Sequence, residues 1–185
     1  MTSEFMRELI ILIPISVLFI MAFLPLAIKV FNGNKEPEPL LTLFFSAAGL
    51  VFACGFTAAF LGAKKTAFGQ AIVLDGISVW SSCLIYFITV LALVLSYDHV
   101  ATRGRQFCEF CFLLVSSAVG MVILVMANDL IVTFIGIETM SLCLYILIAM
   151  SKEATLAKEA AFKYFVLGSF ASAIFLYGIA LIYGT

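Results

Sequence analysis

The sequence predicts an all-α integral membrane protein, a polytopic bundle of about six transmembrane helices. Composition is the first reason. Of 185 residues, 64% are hydrophobic and only 11% charged, the inverse of the usual soluble balance. The second reason is run length. Uncharged or singly charged stretches near 20 residues recur, the length a helix needs to cross ~30 Å of hydrocarbon at 1.5 Å per residue. Barrel strands would instead be ~10 residues of alternating polarity. The third reason is how little lies between the stretches. The longest connections, Phe31 to Pro39 and Lys64 to Asp75, leave no room for a soluble catalytic domain.

The expected helices cover about 9–30, 40–63, 76–97, 107–128, 130–151 and 159–184 within one membrane domain, 1–185. The first is read as a retained anchor. Its apolar run is too long for a signal peptide, Glu4 and Glu8 flank it beside Arg7, and no small-x-small cleavage site follows. Asn32 through Pro39 is a charged, turn-forming segment that separates the first two helices. Lys64 to Asp75, Asp98 to Arg105, Asn128-Asp129 and Ser151 to Lys158 form the remaining connections. Asp129 is a suitable N-cap for the fifth helix, and Asp75 and Asp98 fall at span ends as interfacial or capping groups. Small residues four apart, Ser116 with Gly120 and Gly168 with Ser172, allow close helix approach.

Orientation follows from Lys and Arg counts. The N-terminus and the second and fourth connections hold Arg7, Lys64 and Lys65; the odd connections hold Lys29, Lys35, Arg103, Arg105, Lys152 and Lys158. This bias puts the odd connections in the cytoplasm and both chain ends outside. The net charge of −1 implies no particular partner, and no basic patch with interleaved aromatics suggests nucleic acid. The five cysteines include a C-x-x-C at Cys108 and Cys111, but a zinc or iron–sulfur site would need further ligands and His99 is the sole histidine. They read as small apolar helix residues.

Glu138 is the candidate functional residue. It lies near the middle of an otherwise uncharged span, Leu130 to Ser151, where a charged side chain costs at least ~3 kcal/mol to insert. Such a residue faces a protein interior or a water-filled cavity and has a partner. The plain alternative is a protonated carboxyl that stabilises packing. Ser141 and Tyr145 follow Glu138 at i+3 and i+7 on one helix face and can line a path to it. Lys163 is the second intramembrane charge. Either it snorkels to the interface and pairs with Glu159, four residues earlier, or it faces the bundle and exchanges protons. Depth along the hairpin separates Lys163 from Glu138 by roughly 10 Å, so water or a polar side chain would have to connect them.

Asn128-Asp129-Leu130 followed by Phe134-Ile135-Gly136-Ile137-Glu138-Thr139-Met140-Ser141-Leu142 resembles the fifth helix of the antiporter-like subunits of respiratory complex I. Glu159-Ala160-Ala161-Phe162-Lys163-Tyr164-Phe165, continuing to Ser172, resembles the sixth. Together they are similar to the N subunit of NADH–quinone oxidoreductase. The resemblance is specific over Asn128 to Thr185, and upstream it rests on helix count and hydropathy. It implies a proton-translocating subunit of the bacterial inner membrane in which Glu138 and Lys163 serve a proton relay. It also implies other complex I membrane subunits and the lipid bilayer as partners, with no nucleic acid. No cofactor is expected on this chain, since NADH, FMN, iron–sulfur clusters and quinone belong to other subunits. A related reading is a subunit of a cation/proton antiporter or membrane-bound hydrogenase. A different one is a structural membrane module without transport.

Members of that family continue into further helices, with a broken seventh helix that carries the central pumping lysine. These residues are therefore expected to correspond to the N-terminal portion of such a subunit and not to conduct protons alone. The Gly168–Ser172 face is expected to seat one of the later helices.

Overall fold

The computed structural model describes residues 2–33, 35–101, 106–150 and 155–184. Arg103, Arg105 and Lys152, which contribute to the charge bias, lie outside the described residues. In chain order the elements are α1 (Thr2–Phe31), α2 (Pro39–Ala58), β1 (Lys65–Ala67), β2 (Ile72–Leu74), α3 (Gly76–Ala101), α4 (Phe107–Met126), α5 (Leu130–Ala149) and α6 (Thr155–Tyr183). All six helices are long and apolar enough to cross a membrane. The molecule is an all-α polytopic membrane protein.

Element ends differ from the hydropathy pattern for local reasons. α1 starts at Thr2 rather than near residue 9, because the polar residues before the apolar run include good helix formers. α2 stops at Ala58 although apolar residues continue. There Phe60 N–H bonds Thr57 O at 3.1 Å and Leu61 N–H bonds Ala58 O at 3.0 Å. These tight turns lead to Gly62 at φ +83°, a conformation glycine adopts at no steric cost. At its other end α2 opens with Pro39 as a first helical residue, where the missing N–H is not needed.

The second connection is not a plain loop. It forms an antiparallel hairpin pairing Lys65 with Leu74, Thr66 with Val73 and Ala67 with Ile72. Three-residue strands are too short to leave a period in the sequence. The reversal passes through Phe68, Gly69 and Gln70, all at positive φ (54°, 63° and 73°), an uncommon state for the two that are not glycine. Three hydrogen bonds from two directions hold it. Phe68 N–H donates to Glu8 Oε1 at 3.2 Å. Asn128 donates its side-chain amide to Gln70 O and its backbone N–H to Ala71 O, each at 2.9 Å. The hairpin thus ties the start of α1 to the α4–α5 turn at one end of the bundle.

α4 is the central helix, packed against α1, α2, α3 and α5, while α6 packs on α5. The core contains Leu18, Leu50, Val79, Tyr86, Leu93, Val115, Val122 and Met126. Phe112 of α4 takes Phe19 and Phe23 of α1 edge-on, with ring centroids 5.6 and 6.0 Å away. The α4–α5 contact is backbone on backbone. A methyl on Gly120 would lie 2.6 Å from Met140 N and 2.9 Å from Gly136 O; one on Gly136 would lie 2.9 Å from Leu124 N. The small residue expected to permit close approach, Gly120, does so, with Gly136 as its counterpart.

Because the obstruction at Gly120 is backbone, Gly120→Ala is expected to force the helices apart at about 1–3 kcal/mol. Gly55, where a methyl meets nothing within 4 Å, is the control. Thermal melts in detergent should show a lower midpoint for Gly120→Ala and no loss for Gly55→Ala.

Candidate functional site: an intramembrane carboxylate between two helices

α5 is positioned at its start by Asp129, whose carboxylate accepts from Ile131 N–H at 2.7 Å as the sequence anticipates. Gly136 faces α4. Two residues on, Glu138 is rotated about 200° around the helix axis, which turns it away from α4. It is half-buried, about 12 Å along α5. There the Ser172 hydroxyl of α6 donates to Glu138 Oε1. This cross-helix hydrogen bond supplies the partner that a carboxyl at this depth requires.

Of the two residues expected to line a path to Glu138, Ser141 is half-buried one turn on. Tyr145 is occupied with packing. Its ring meets Tyr164 edge-on at 4.9 Å and Phe165 at 5.7 Å, and its hydroxyl end lies against Gly168, where a methyl would overlap it. On α6, Gly168 gives room to Tyr145 and Ser172 reaches Glu138, so both residues of the small pair contact α5. Ser172 was visible in the sequence only as a small residue; in the structure its hydroxyl bonds Glu138.

Lys163 and Glu138 are not brought together. Lys163 Nζ pairs with Glu159 Oε1 at 2.5 Å, four residues earlier on α6, with both side chains largely exposed. The partner of Glu138, Ser172, is nine residues farther along α6, about 13 Å at 1.5 Å per residue.

A second charged cluster was not anticipated. Lys29, counted as a connection residue, lies in the last turn of α1 and is buried. Its ammonium bonds Glu109 Oε1 in the first turn of α4 at 2.5 Å, and also Glu36 Oε1 of the first connection. The cluster joins residues 80 positions apart, so no local spacing could reveal it. It closes the bundle at the end opposite the hairpin. Among the described residues no group of three or more His, Cys, Asp or Glu is arranged to hold a metal ion. All five cysteines are unpaired thiols, and Cys108 Sγ lies 3.3 Å from Thr42 Oγ1.

A family described as "NADH:quinone oxidoreductase/Mrp antiporter, TM" matches residues 127–185, the segment that contains Glu138, Lys163 and Ser172. A protein of Bdellovibrio bacteriovorus named NADH-quinone oxidoreductase subunit N is 47% identical over 97% of this chain. Subunit N of Chloroflexus aggregans is 36% identical over 96% of the chain. The chain belongs to the subunit N family of NADH–quinone oxidoreductase. It matches the N-terminal part of its relatives and spans 37% of the Bdellovibrio protein and 36% of the Chloroflexus one. Among solved structures, respiratory complex I from Thermus thermophilus with bound aureothin contains a similar chain. The match has a TM-score of 0.75 and 28% identity, and covers 93% of this chain and 36% of that one. The likeness to subunit N therefore extends upstream through α1 to α4, where the sequence motifs themselves were silent.

In this family member α6 is fastened at its far end as well. Tyr183 Oη donates to Asp129 Oδ2 at 2.6 Å, so one carboxylate caps α5 and anchors α6. The Tyr183 hydroxyl and then the Ile131 N–H hold the Asp129 carboxyl below its ordinary value, against a smaller opposing effect of desolvation. Asp75, which caps α3 through Ser78 N–H at 2.9 Å, is lowered chiefly by that bond. A carboxylate depressed on folding contributes stability that is present above its unfolded value, 3.8 for Asp129, and lost as pH falls through the folded value. Asp129→Asn is therefore expected to be less stable than the parent at neutral pH, with the gap closing below about pH 4. Thermal melts of both proteins across pH 3–7 check this.

Proposed function

We propose that this chain is part of a proton-translocating membrane subunit of a bacterial NADH–quinone oxidoreductase, and that Glu138 is a proton-exchanging group in its pathway. NADH oxidation and quinone reduction would take place on other subunits, which would carry the FMN, iron–sulfur clusters and quinone site. The complex would reside in the bacterial cell membrane, with its other membrane subunits and the lipid as this chain's surroundings. The observation that carries the reading is a mid-span carboxyl whose bond is to a neutral hydroxyl rather than to a fixed cation. A hydroxyl can donate to the carboxylate or accept from the carboxylic acid, so Ser172 can follow Glu138 through a change of protonation. An immobile ion pair would favour one state alone.

Glu138→Gln in the full-length subunit is expected to leave the complex assembled and to remove most of its proton pumping. Ser172→Ala should reduce pumping partially and Ser172→Thr, which keeps the hydroxyl, should restore it. Proton uptake by inverted membrane vesicles, with NADH oxidation measured alongside, checks all three. Normal pumping by assembled Glu138→Gln complex would overturn the relay role and leave Glu138 as a packing group.

For Lys163 the ion pair with Glu159 favours an interfacial role in this part of the subunit. If that is its role, Lys163→Arg is tolerated, and Glu159→Gln costs about as much as Lys163→Ala. A relay role predicts that Arg fails too, since guanidinium does not give up its proton. Pumping assays on the three variants separate the two, and full activity of Lys163→Ala would end the relay reading.

The proposed orientation keeps the odd connections in the cytoplasm. A reporter inserted between Phe31 and Pro39 should report a cytoplasmic location, and an external reading would reverse the topology.

A further inference from the structure

Tyr145 lies seven residues beyond Glu138 on α5, about two turns, and its side chain is pressed against α6. A methyl on Gly168 would stand 1.8 Å from Tyr145 Oη and 2.7 Å from its Cζ, so only hydrogen fits there beside the phenol. The phenol is not free to swing aside. Tyr164 meets its ring at 4.9 Å and Phe165 at 5.7 Å, both edge-on, with interplanar angles of 88° and 85°. Tyr164 and Phe165 stand four and three residues before Gly168, on the preceding turn of the same α6 face. Tyr145 is therefore a knob in a hole bounded by two rings and a stretch of bare backbone. Packing of this kind fixes how one helix lies along another.

The knob lies next to the Glu138 contact. Ser172 follows Gly168 by one turn of α6 and donates to Glu138 Oε1. Serine has one heavy-atom side-chain torsion, so its hydroxyl goes where the α6 backbone carries it. A hydrogen bond between oxygens is lost beyond ~3.5 Å, so α6 has to be held along α5 to about an ångström. The neighbouring contacts hold less firmly. Phe134 and Phe175 meet at 6.1 Å, side chain on side chain, and the Tyr183–Asp129 bond is exposed at the helix ends. At Gly168 a side chain meets backbone, which cannot turn away.

We propose that Tyr145 is a positioning residue for Glu138: its ring, seated on Gly168, sets the register of α6 on α5 and brings the Ser172 hydroxyl to the carboxyl. The consequence for pumping rests on Glu138 as the proton-exchanging group; the register does not.

Disulfide trapping in the full-length subunit in its native membrane tests the register apart from the bond it serves. With Glu138→Cys and Ser172→Cys in place, oxidation by copper–phenanthroline and air is expected to link the two positions, read by mass spectrometry as a joined peptide pair. Adding Gly168→Ala or Tyr145→Leu should slow linking several-fold. Adding both should restore it, since the methyl takes up space that the ring has left. No linking in the parent pair, parental rates in either single addition, or a double no faster than the slower single would each overturn the proposal. Tyr145→Leu opens space rather than filling it, and decides the matter if the Gly168→Ala subunit does not assemble.

Pumping with Glu138 and Ser172 intact gives the second reading. Gly168→Ala should show the pH profile of Ser172→Ala, and Gly168→Ala/Tyr145→Leu that of the parent. Tyr145→Phe, which keeps the ring, should pump as the parent does; loss there with unchanged linking would give the phenol hydroxyl a part in the path and overturn a purely positional role. Glu138→Gln is measured alongside. Normal pumping by that variant ends the proton-exchange reading and leaves the linking result to decide the register, whereas failed linking beside an impaired Glu138→Gln removes the positioning role alone.

Discussion

The constraint on which the rest of this structure depends is that hydrocarbon satisfies no hydrogen bond. It explains the helices, which close their own backbone bonds, and it explains where each side chain with a polar atom has come to rest. Lys29 is buried only where two carboxylates reach it. Glu138 sits at mid-depth on the side of α5 where Ser172 can reach it. Asp75 and Asp129 lie just outside the spans and each places one carboxylate oxygen on a helix N-terminus, where the helix dipole also favours negative charge. The outer surfaces of the helices invert the order of a soluble protein, with Phe44, Phe52, Trp80 and Phe170 exposed.

The same constraint accounts for the glycines at the α4–α5 crossing. Between helices in lipid there is little hydrophobic drive, because the tails are as apolar as leucine, and attraction comes from close packing. Gly120 and Gly136 let two backbones touch, and that contact fixes the rotation of α5. With Gly136 against α4, Glu138 has to point elsewhere, and α6 comes to meet it with Ser172. Gly168 admits Tyr145 one turn from Ser172 on the same α6 face. The carboxyl is thus placed by steric contacts that carry no charge.

The spans, the short connections and the cap at Asp129 were legible in the sequence because each is written locally, in runs of apolar residues or in one residue before a helix. Glu138 was legible because a charge inside such a run is costly. Its partner was not, since Ser172 is 34 residues away and small residues four apart read first as packing. Tyr145 shares the Glu138 face by helix geometry, yet its role is decided by Gly168 across the interface. The Lys29–Glu36–Glu109 cluster shows the limit most clearly. Each residue alone reads as a flank of its own span, and only the packing of α1 against α4 makes them one site. The hairpin escaped for the opposite reason, being too short to carry a period.

What the fold does with these parts follows from how they are divided. Within the described residues α4 has the largest share of buried residues and packs against four other helices, while α6 packs on α5. Glu138, the proposed proton-exchanging group, lies at the contact of α5 with α6. α6 is held to α5 by the Tyr145–Gly168 contact, by the Ser172 bond, and at one end by Tyr183 on Asp129. Two of these three attachments are hydrogen bonds to carboxyl groups. A change in the protonation of Glu138 would therefore alter the seating of α6 as well as the charge at mid-membrane. Gly120 and Gly136 hold α5 against α4 through backbone contact, so of the two helices that pack on α5 it is α6 whose attachment includes the Glu138 carboxyl.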